Sequence, residues 1–275
     1  MPGENLIIFT DLDGTLLDLN TYSFQEAKEA LRLVTSERIP VIFCSAKTMA
    51  EQEVYRDELK INDPFIVENG GAIFIEKDYF PFLYEYQRSF AAYNVIEIGM
   101  PYDEIRRILE QVRAQTHVVV KGYGDMSVEE VALETGLDLQ AAKRAMQRQY
   151  GETIKLELLE KELERFKRAL NRRGLTCTFG GKLYGVMGPN DKGKAIAILT
   201  RLFRKERGSI HTIGIGDSLN DIPLLSAVDL PILVQKPGGT WEDINLPNIY
   251  RAKGIGPVGW NKMIVKLLQG DGRHL

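Results

Sequence analysis

A short apolar run that ends abruptly in acidic residues constrains the fold of this chain more than any other stretch. Residues 6–9 read Leu-Ile-Ile-Phe, and this uninterrupted run predicts a strand buried on both faces, as in a parallel sheet. Asp11 and Asp13 follow at once, with Gly14 and Thr15 behind them. Open α/β sheets bind ligands at the carboxyl ends of their strands, so both aspartates are candidate site residues.

The close spacing of Asp11 and Asp13 has a chemical consequence. Two neighbouring carboxylates repel each other unless a cation lies between them or one of them stays protonated. A divalent cation with oxygen ligands meets this requirement. The alternative is an Asp-rich turn that caps a helix, but the apolar strand directly before the pair favours a functional site.

The length and composition of the chain limit the classes of protein to which it can belong. Its 275 residues suffice for a core domain and a second unit, and 35 basic against 38 acidic side chains give a net charge of −3. This balance predicts neither a nucleic-acid partner nor a membrane partner. The two cysteines, Cys44 and Cys177, cannot form a disulfide framework. Because the sequence shows no signal-peptide pattern and no long apolar run, we expect a cytoplasmic protein.

A second polar cluster follows the next buried-type strand, which residues 41–44 predict. Ser45 and Lys47 come directly after this strand, and they supply a hydroxyl donor and a mobile cation. Groups of this kind bind phosphate. The alternative is that the hydroxyl groups of this segment only cap the helix predicted from residue 49.

Lys192 lies where a cation is normally unfavourable. Asn190 or Asp191 caps a predicted helix, which places Lys192 in the first turn, beside the positive end of the helix dipole. A phosphate bound by both the lysine and the helix amides would resolve this conflict. We therefore interpret Lys192 as a phosphate-binding residue.

A further acidic motif follows the strand that residues 210–216 predict. Asp217 and Asp221 are four residues apart, so they share one side of the helical turn that begins there, with Asn220 between them. Carboxylates are favourable near a helix N-terminus in any case, which is the structural alternative. Their position directly after an apolar strand makes both aspartates candidate site residues.

The order of the predicted elements indicates an α/β fold. Strands and helices alternate on both sides of a long central insert, which predicts a doubly wound, Rossmann-like parallel-sheet core. We assign residues 1–82 and 187–275 to this core and residues 83–186 to an inserted α+β cap.

Two helical segments of the insert, separated at Gly136, resemble a DNA-binding helix-turn-helix. The second segment and the residues after it carry Lys143, Arg144 and Arg148, whereas the first carries three glutamates that would repel a nucleic-acid backbone. A helical hairpin within the cap is therefore the favoured interpretation.

Taken together, the motifs resemble those of the haloacid dehalogenase-like phosphohydrolases. The resemblance rests on four segments in family order: Asp11 with Asp13, Ser45, Lys192, and the Gly-Asp-Ser-x-Asn-Asp segment at residues 216–221. It implies that Asp11 is the nucleophile and that Asp13 is the general acid and base. It also implies that the Ser45 hydroxyl, the Ala46 amide and Lys192 bind the phosphoryl oxygens.

The same resemblance implies one Mg²⁺ ion and a large cap. Asp11, the backbone carbonyl of Asp13 and Asp217 are the implied ligands, and Asp221 supports them from just outside or through water. The turn Glu-Asn-Gly-Gly at residues 68–71 is typical of the branch in which a large α/β cap follows the second motif.

Longer segments are similar to the mannosyl-3-phosphoglycerate phosphatases, which produce mannosylglycerate, a compatible solute. These segments are residues 63–74, 122–137, 188–195, 230–239 and 254–261. The resemblance implies a small phosphorylated sugar-glycerate substrate. Candidates for binding its phosphate, carboxylate and sugar are Lys47, Asn69, Arg144, Arg148 and Asn220.

One departure from that family concerns the segment after the basic helix. The family has a Glu-Pro-Phe-like segment there, whereas this chain has Gly151-Glu152-Thr153. Glucosyl-3-phosphoglycerate, or another small sugar phosphate, is therefore the nearest alternative substrate. The alternatives from other classes are a non-catalytic sugar-phosphate sensor, a nucleic-acid binder through residues 127–148, and a mutase. No feature of the sequence specifies an oligomeric state.

Overall fold

The computed structural model describes residues 5–179 and 183–270, which form three β-sheets with helices packed around them. Elements are numbered in chain order. None of the helices in these two ranges combines the length and the apolar composition that a membrane crossing requires.

A five-stranded parallel sheet carries the acidic motifs. Its order is β13-β12-β11-β1-β2, so β1 lies between β11 and β2, with Ile8 aligned to Ile213 on one side and to Val41 on the other. The strands are β1 (Leu6–Thr10), β2 (Val41–Phe43), β11 (His211–Gly216), β12 (Leu230–Gln235) and β13 (Tyr250–Ile255). The carboxyl ends of parallel neighbours meet at one edge, which brings together side chains that are distant in sequence.

Both faces of the parallel sheet are covered by helices. Ile7 and Phe9 of β1 pack with α7 (Lys192–Arg207) and α8 (Ile222–Ser226). Ile8 faces the other way, toward α1 (Lys28–Ser36) and α9 (Pro257–Leu268). Alternate residues of a strand point to opposite faces, so β1 is apolar throughout because both of its faces are buried. The predicted α/β fold with a doubly wound parallel sheet is confirmed.

A second, antiparallel sheet has the order β3-β4-β6-β5. Its strands are β3 (Phe65–Val67), β4 (Ala72–Glu76), β5 (Arg88–Phe90) and β6 (Tyr93–Glu97). A bridge between Cys44 and Ile66 connects its first strand to the end of the parallel sheet. This sheet extends across residue 82, where we placed the core–cap boundary from sequence, and that boundary stays a prediction.

The third sheet and its helices form the outer part of the insert, and we keep the name cap for the predicted insert, residues 83–186. The sheet has the order β7-β8-β10-β9, with β7 (Lys121–Gly122), β8 (Gly151–Lys155), β9 (Thr176–Phe179) and β10 (Tyr184–Met187). Helices α3 (Tyr102–Thr116) and α6 (Glu160–Asn171) bury their apolar residues with those of β8 and β10. This cluster contains no residue of the parallel sheet, so the cap has an apolar core of its own.

The segment that resembles a helix-turn-helix forms two short helices, α4 (Val128–Thr135) and α5 (Leu139–Ala145). Ser127 and Asp138 cap them by accepting hydrogen bonds from backbone N–H groups, and Gly136 ends α4 with φ +78°. Helix α5 contacts α2 (Met49–Leu59), which follows the second polar cluster. The pair is therefore a helical hairpin packed against the core.

Candidate functional site

Three carboxylates from two strand ends meet above the parallel sheet. Asp11 follows β1, Asp217 follows β11, and Asp221 lies one helical turn later; carboxylate oxygens of all three lie within 4.8 Å of one another. The pairing of β1 with β11 continues past the strand end, because the Asp11 N–H donates to the Ile215 carbonyl at 2.9 Å. All three side chains are buried.

Lys192 neutralises part of this negative charge. Its side chain is 1% exposed, and its Nζ lies 2.7 Å from Asp11 Oδ1 and 2.7 Å from Asp221 Oδ1. The sequence predicted that a phosphate bound by the lysine and the helix amides would offset the unfavourable position of this lysine at a helix N-terminus. In the structure two carboxylates do so, while Asp191 caps the helix by accepting the Lys194 N–H at 2.9 Å.

The electrostatics of this cluster fit a divalent cation. Burial, and then repulsion from Asp221, raises the pKa of Asp217 to about 7. Burial also raises the pKa of Asp11 well above its ordinary value, although Lys192 opposes this shift. Three carboxylates and one ammonium leave an excess of negative charge in a buried site, and oxygen ligands of this kind suit a hard divalent cation.

Hydrogen bonds that the sequence motifs do not reveal orient the side chains of the segment that follows β11. Asp221 Oδ2 accepts the N–H groups of Asp217, at 3.0 Å, and Ser218, at 3.2 Å. Thr15 Oγ1 donates to Asp217 Oδ1 at 3.4 Å. Asn220, a predicted phosphate-binding residue, accepts a hydrogen bond from Ser218 Oγ through its Oδ1. These contacts restrain the direction in which each carboxylate points.

Asp13 differs from Asp11 in exposure and partners. Its side chain is 34% exposed, and its Oδ2 lies 3.0 Å from Lys47 Nζ. Its Oδ1 is enclosed and has no hydrogen-bond partner within the described residues. Asp13 is therefore the more accessible of the two carboxylates in the first motif, as a group that exchanges protons with a ligand needs to be.

Lys47 lies in an enclosed setting beside Asp13. Its Nζ is also 3.7 Å from Glu51 Oε1, and it lies 4.9 Å from the ring centroid of Tyr22 and 5.9 Å from that of Tyr55. Nearby carboxylates raise its pKa, although burial opposes the shift, so the ammonium form is favoured. Sequence reasoning missed Tyr22, Glu51 and Tyr55, because no local pattern places them near the first motif.

The second polar cluster is tied to the Glu-Asn-Gly-Gly turn. The Asn69 N–H donates to the Ser45 carbonyl at 2.9 Å, and the Lys47 N–H donates to Ser45 Oγ at 3.3 Å. The enclosed Asn69 Oδ1 has no partner within the described residues. Asn190, just before Lys192, donates from Nδ2 to the carbonyls of Glu68 and Asn69, each at 3.4 Å. The turn therefore contacts two of the predicted phosphate-binding segments.

The basic residues of the cap occupy different positions. Arg148 is 10% exposed and donates to the carbonyls of Gly151, at 2.8 Å, and Ala46, at 3.2 Å. Arg144 approaches the core through its backbone, since its carbonyl accepts the Thr48 hydroxyl at 3.0 Å. Contact of either side chain with substrate stays a prediction.

Glu68 is a further neighbour of the site that sequence reasoning did not identify. It is 2% exposed and has φ +48°, and its carboxylate accepts the N–H groups of Gln149 at 2.8 Å and Tyr150 at 3.0 Å. The sequence identifies residues 68–71 as a turn typical of the large-cap branch and assigns Glu68 itself no role. An acidic residue directly after a buried strand is the same signal that identified Asp11, and it was available here as well.

We expect Gly70→Ala to destabilise the protein more than an ordinary glycine substitution at positive φ. Gly70 has φ +90°, and an added Cβ would lie 2.1 Å from the Asp191 carbonyl oxygen, at the start of α7. Strain and overpacking together should lower the free energy of unfolding by about 2–3 kcal/mol, measured by urea denaturation.

Gly136→Ala is the matched control for Gly70→Ala. Gly136 has φ +78° with open space around it, so only the backbone strain of about 1 kcal/mol applies. If the free energy of unfolding fell equally in the two variants, the close approach of residue 70 to the Asp191 carbonyl would not contribute to the loss of stability.

Comparison with known proteins matches residues 8–236 to the haloacid dehalogenase-like hydrolase family. A glucosyl-3-phosphoglycerate/mannosyl-3-phosphoglycerate phosphatase of Methanococcoides burtonii is 48% identical over 263 residues, covering 95% of this chain and 97% of the relative. A mannosyl-3-phosphoglycerate phosphatase of Pyrococcus horikoshii is 38% identical over 228 residues, covering 83% of this chain and 90% of the relative.

Solved structures show the same fold at low sequence identity. A Thermoplasma acidophilum protein superimposes with a TM-score of 0.70 at 15% identity, covering 96% of this chain and 98% of its own. The sucrose-phosphatase of Synechocystis, solved with sucrose and phosphate, has a TM-score of 0.63 at 15% identity and the same two coverages. The arrangement of sheets is therefore shared well beyond the close relatives.

Proposed function

This chain belongs to the haloacid dehalogenase-like hydrolase family, and from that premise we propose that it is a phosphatase acting on mannosyl-3-phosphoglycerate. The observation that carries the proposal is the buried cluster in which Lys192 lies between two of three converging carboxylates, at the strand ends where ligands bind. The products would be mannosylglycerate and inorganic phosphate.

The proposed cofactor is Mg²⁺. Asp11, the Asp13 carbonyl and Asp217 would hold it, with Asp221 in support, since their charge and oxygen donors suit a small hard cation that retains several waters. When bound, the ion supplies positive charge that offsets the repulsion between the phosphate dianion and an attacking carboxylate.

The proposed nucleophile is Asp11. One of its carboxylate oxygens attacks phosphorus, the bond from phosphorus to the substrate oxygen breaks, and an aspartyl-phosphate remains on the enzyme. Asp13 gives a proton to the leaving oxygen and then takes one from the water that hydrolyses the intermediate. Its greater exposure supports this role over that of nucleophile, because a group that exchanges protons with the leaving oxygen and then with water must be reachable by both.

We propose that groups from two segments of the chain bind the phosphoryl oxygens. The Ser45 hydroxyl, the Ala46 N–H and the Lys192 ammonium would stabilise negative charge as it shifts during transfer. Asn69 and Asn220 lie on the neighbouring turns, and Asn69 Oδ1, which has no partner among the described residues, is an acceptor that a hydroxyl group of the substrate would satisfy.

The substrate carries a carboxylate beside its phosphate, and Lys47 is the proposed partner of that carboxylate. Its ammonium lies next to Asp13, which must contact the leaving oxygen, so a group attached near that oxygen comes within reach of Lys47. Arg144 is a second candidate from the cap. The name of the Methanococcoides relative includes both glucosyl and mannosyl substrates, and we propose glucosyl-3-phosphoglycerate as the alternative substrate.

The test is a phosphate-release panel run with the full chain. Mannosyl-3-phosphoglycerate, glucosyl-3-phosphoglycerate, free hexose phosphates and 3-phosphoglycerate are compared, each in EDTA and then with excess Mg²⁺. We expect the two glycosyl-phosphoglycerates to be hydrolysed fastest, EDTA to stop release and Mg²⁺ to restore it.

Each part of this proposal has its own opposing result. A preference for free hexose phosphates would exclude the glycosyl-phosphoglycerate assignment, and full activity in EDTA would exclude the metal. Transfer of phosphate within the sugar without release would identify a mutase. Binding without turnover would identify a sensor.

The proposed location is the cytoplasm. Cys44 and Cys177 are both buried and unbonded, as a reducing compartment would leave them. Burial raises the pKa of the Cys177 thiol to about 12, so it stays protonated and unreactive at neutral pH.

A further inference from the structure

Arg148 connects the cap to the second polar cluster. It lies between α5 and β8, and its Nη2 donates to the Ala46 carbonyl at 3.2 Å, across a sequence separation of 102 residues. Its Nε donates to the Gly151 carbonyl at 2.8 Å, which holds the guanidinium against its own segment. Both acceptors are backbone groups, so these bonds depend on the arginine fork and not on neighbouring side-chain rotamers.

The Ala46 carbonyl belongs to the same planar peptide as the Lys47 N–H, so fixing one fixes the direction of the other. That N–H donates to Ser45 Oγ at 3.3 Å. The Arg148 guanidinium is thus connected to the Ser45 hydroxyl through the single planar peptide between Ala46 and Lys47. We call this connection the relay. With one lone pair of Oγ occupied in this way, the hydroxyl hydrogen is free to point toward a phosphoryl oxygen.

Glu68 contacts both segments that this connection joins, namely the cap segment at Arg148 and the loop at Lys47. Its carboxylate accepts the two N–H groups that follow Arg148 and lies 3.6 Å from Arg148 Nε, while its own N–H donates to the Lys47 carbonyl at 3.1 Å. The Glu68 side chain is 1% exposed. A carboxylate buried to this degree needs its partners, because removal of one leaves an uncompensated charge.

From these contacts we propose that Arg148 is a positioning residue for the reaction, with Glu68 as its support. Packing of the cap on the core places the guanidinium on the Ala46 carbonyl, and this orients the Ala46–Lys47 peptide so that its N–H holds the Ser45 hydroxyl in the geometry that receives phosphate. The inference rests on the proposed function, since it takes residues 45–47 as the phosphate-binding loop. It assigns Arg148 a role different from the substrate contact expected from sequence.

The test compares Arg148→Gln and Arg148→Lys in the full chain on two substrates. One is mannosyl-3-phosphoglycerate, and the other is p-nitrophenyl phosphate, which has neither sugar nor carboxylate for a cap arginine to bind. We expect kcat to fall about 10- to 100-fold on both substrates in Arg148→Gln, because a displacement of about 1 Å in a positioning group has effects of this size. Inhibition by inorganic phosphate should weaken in parallel.

Arg107→Gln is the matched control, because Arg107 is also a cap arginine but is 60% exposed and paired with Glu104 at 3.6 Å on the surface of α3. We expect its kinetics to equal those of the unaltered chain. Glu68→Gln should reproduce the Arg148→Gln pattern, since an amide offers one acceptor oxygen where two N–H groups need one each.

A result confined to the larger substrate would overturn the inference. If Arg148→Gln raised KM for mannosyl-3-phosphoglycerate and left p-nitrophenyl phosphate hydrolysis unchanged, Arg148 would be a direct substrate ligand. If the unaltered chain hydrolysed only p-nitrophenyl phosphate, the proposal of mannosyl-3-phosphoglycerate as substrate would be wrong. The role of Arg148 would then be tested by the rates of p-nitrophenyl phosphate hydrolysis alone.

A structural measurement separates positioning from misfolding. Hydrogen exchange at the Lys47 amide should accelerate in Arg148→Lys, in which the compact ammonium cannot reproduce the two-armed contact, while exchange in the parallel sheet stays unchanged. Unchanged protection of Lys47 in this variant would contradict the relay even if activity fell.

Discussion

Replacing Asp11 with asparagine is expected to abolish phosphate release while leaving the protein at least as stable as before. The amide cannot attack phosphorus, so kcat should fall by about 10⁴-fold or more. Burial and the neighbouring aspartates raise the pKa of Asp11, which means that the site disfavours its ionised form. Removal of this charge relieves that repulsion, and Lys192 keeps Asp221 as a partner, so the free energy of unfolding in EDTA should not fall.

The two halves of this prediction need separate measurements. Phosphate release gives the activity, and urea denaturation in EDTA gives the stability. Asp243→Asn serves as the control, because Asp243 is an exposed carboxylate outside the helices and strands, and its replacement should affect neither. Near-normal turnover in Asp11→Asn would disprove the nucleophile assignment.

Asp13→Asn distinguishes the two carboxylates of the first motif. The nucleophile is intact in this variant, so an ester with a good leaving group should still phosphorylate Asp11. Hydrolysis of the intermediate should slow, by about 100-fold or more, because it has lost its general base. Phosphorylated protein should therefore accumulate in Asp13→Asn and not in Asp11→Asn, which mass spectrometry detects.

Lys192→Met should produce the largest loss of stability among the substitutions at this site. Lys192 is 1% exposed and pairs with Asp11 and Asp221, so its removal leaves buried carboxylates without their cation. Breaking a buried pair in this way costs about 3–5 kcal/mol. Activity should also fall about 100-fold or more, since a donor to the phosphoryl oxygens is lost.

Metal should partly compensate for the loss of Lys192. A cation that binds the folded state alone stabilises it by mass action, and the uncompensated aspartates of Lys192→Met would bind it strongly. Urea denaturation of this variant should therefore show a larger gain in midpoint on addition of Mg²⁺ than the unaltered chain shows. Equal gains would argue that the ion and the lysine do not share these carboxylates.

Lys194→Met provides the comparison for Lys192→Met, because it removes the same charge from the same turn of α7. Lys194 is 55% exposed and lies 3.5 Å from Asp191, and a surface pair of this kind contributes about 1 kcal/mol or less. A Lys192→Met protein as stable in EDTA as Lys194→Met would contradict the role given to the buried pairs.

Much of the site was predictable because its residues occupy the ends of strands. An apolar run such as residues 6–9 identifies a doubly buried strand, and a carboxylate directly after it must lie at the ligand-binding edge of the sheet. The same rule placed Asp217 there. Lys192 was singled out because its charge conflicts with a helix dipole, which is a local signal that needs no knowledge of the fold.

Other parts of the site were hidden because their partners are distant in sequence. Tyr22, Glu51 and Tyr55 surround Lys47, and nothing in the local pattern of any of them indicates this. Local patterns also did not show that β4 and β6 pair across residue 82, where the core–cap boundary stays a prediction. Strand pairing depends on backbone hydrogen bonds between segments, and composition does not encode which segments pair.

The sequence by itself determined the α/β class, the strand ends that carry the acidic motifs and the identity of the charged groups placed there. The reason is that burial on two faces and helix capping leave local patterns. Only the tertiary structure decided that Lys192 lies between Asp11 and Asp221, and that Arg148 holds the Ala46 carbonyl beside buried Glu68. These contacts depend on how separate elements pack, and the energy of a buried charge is set by the neighbours that packing provides.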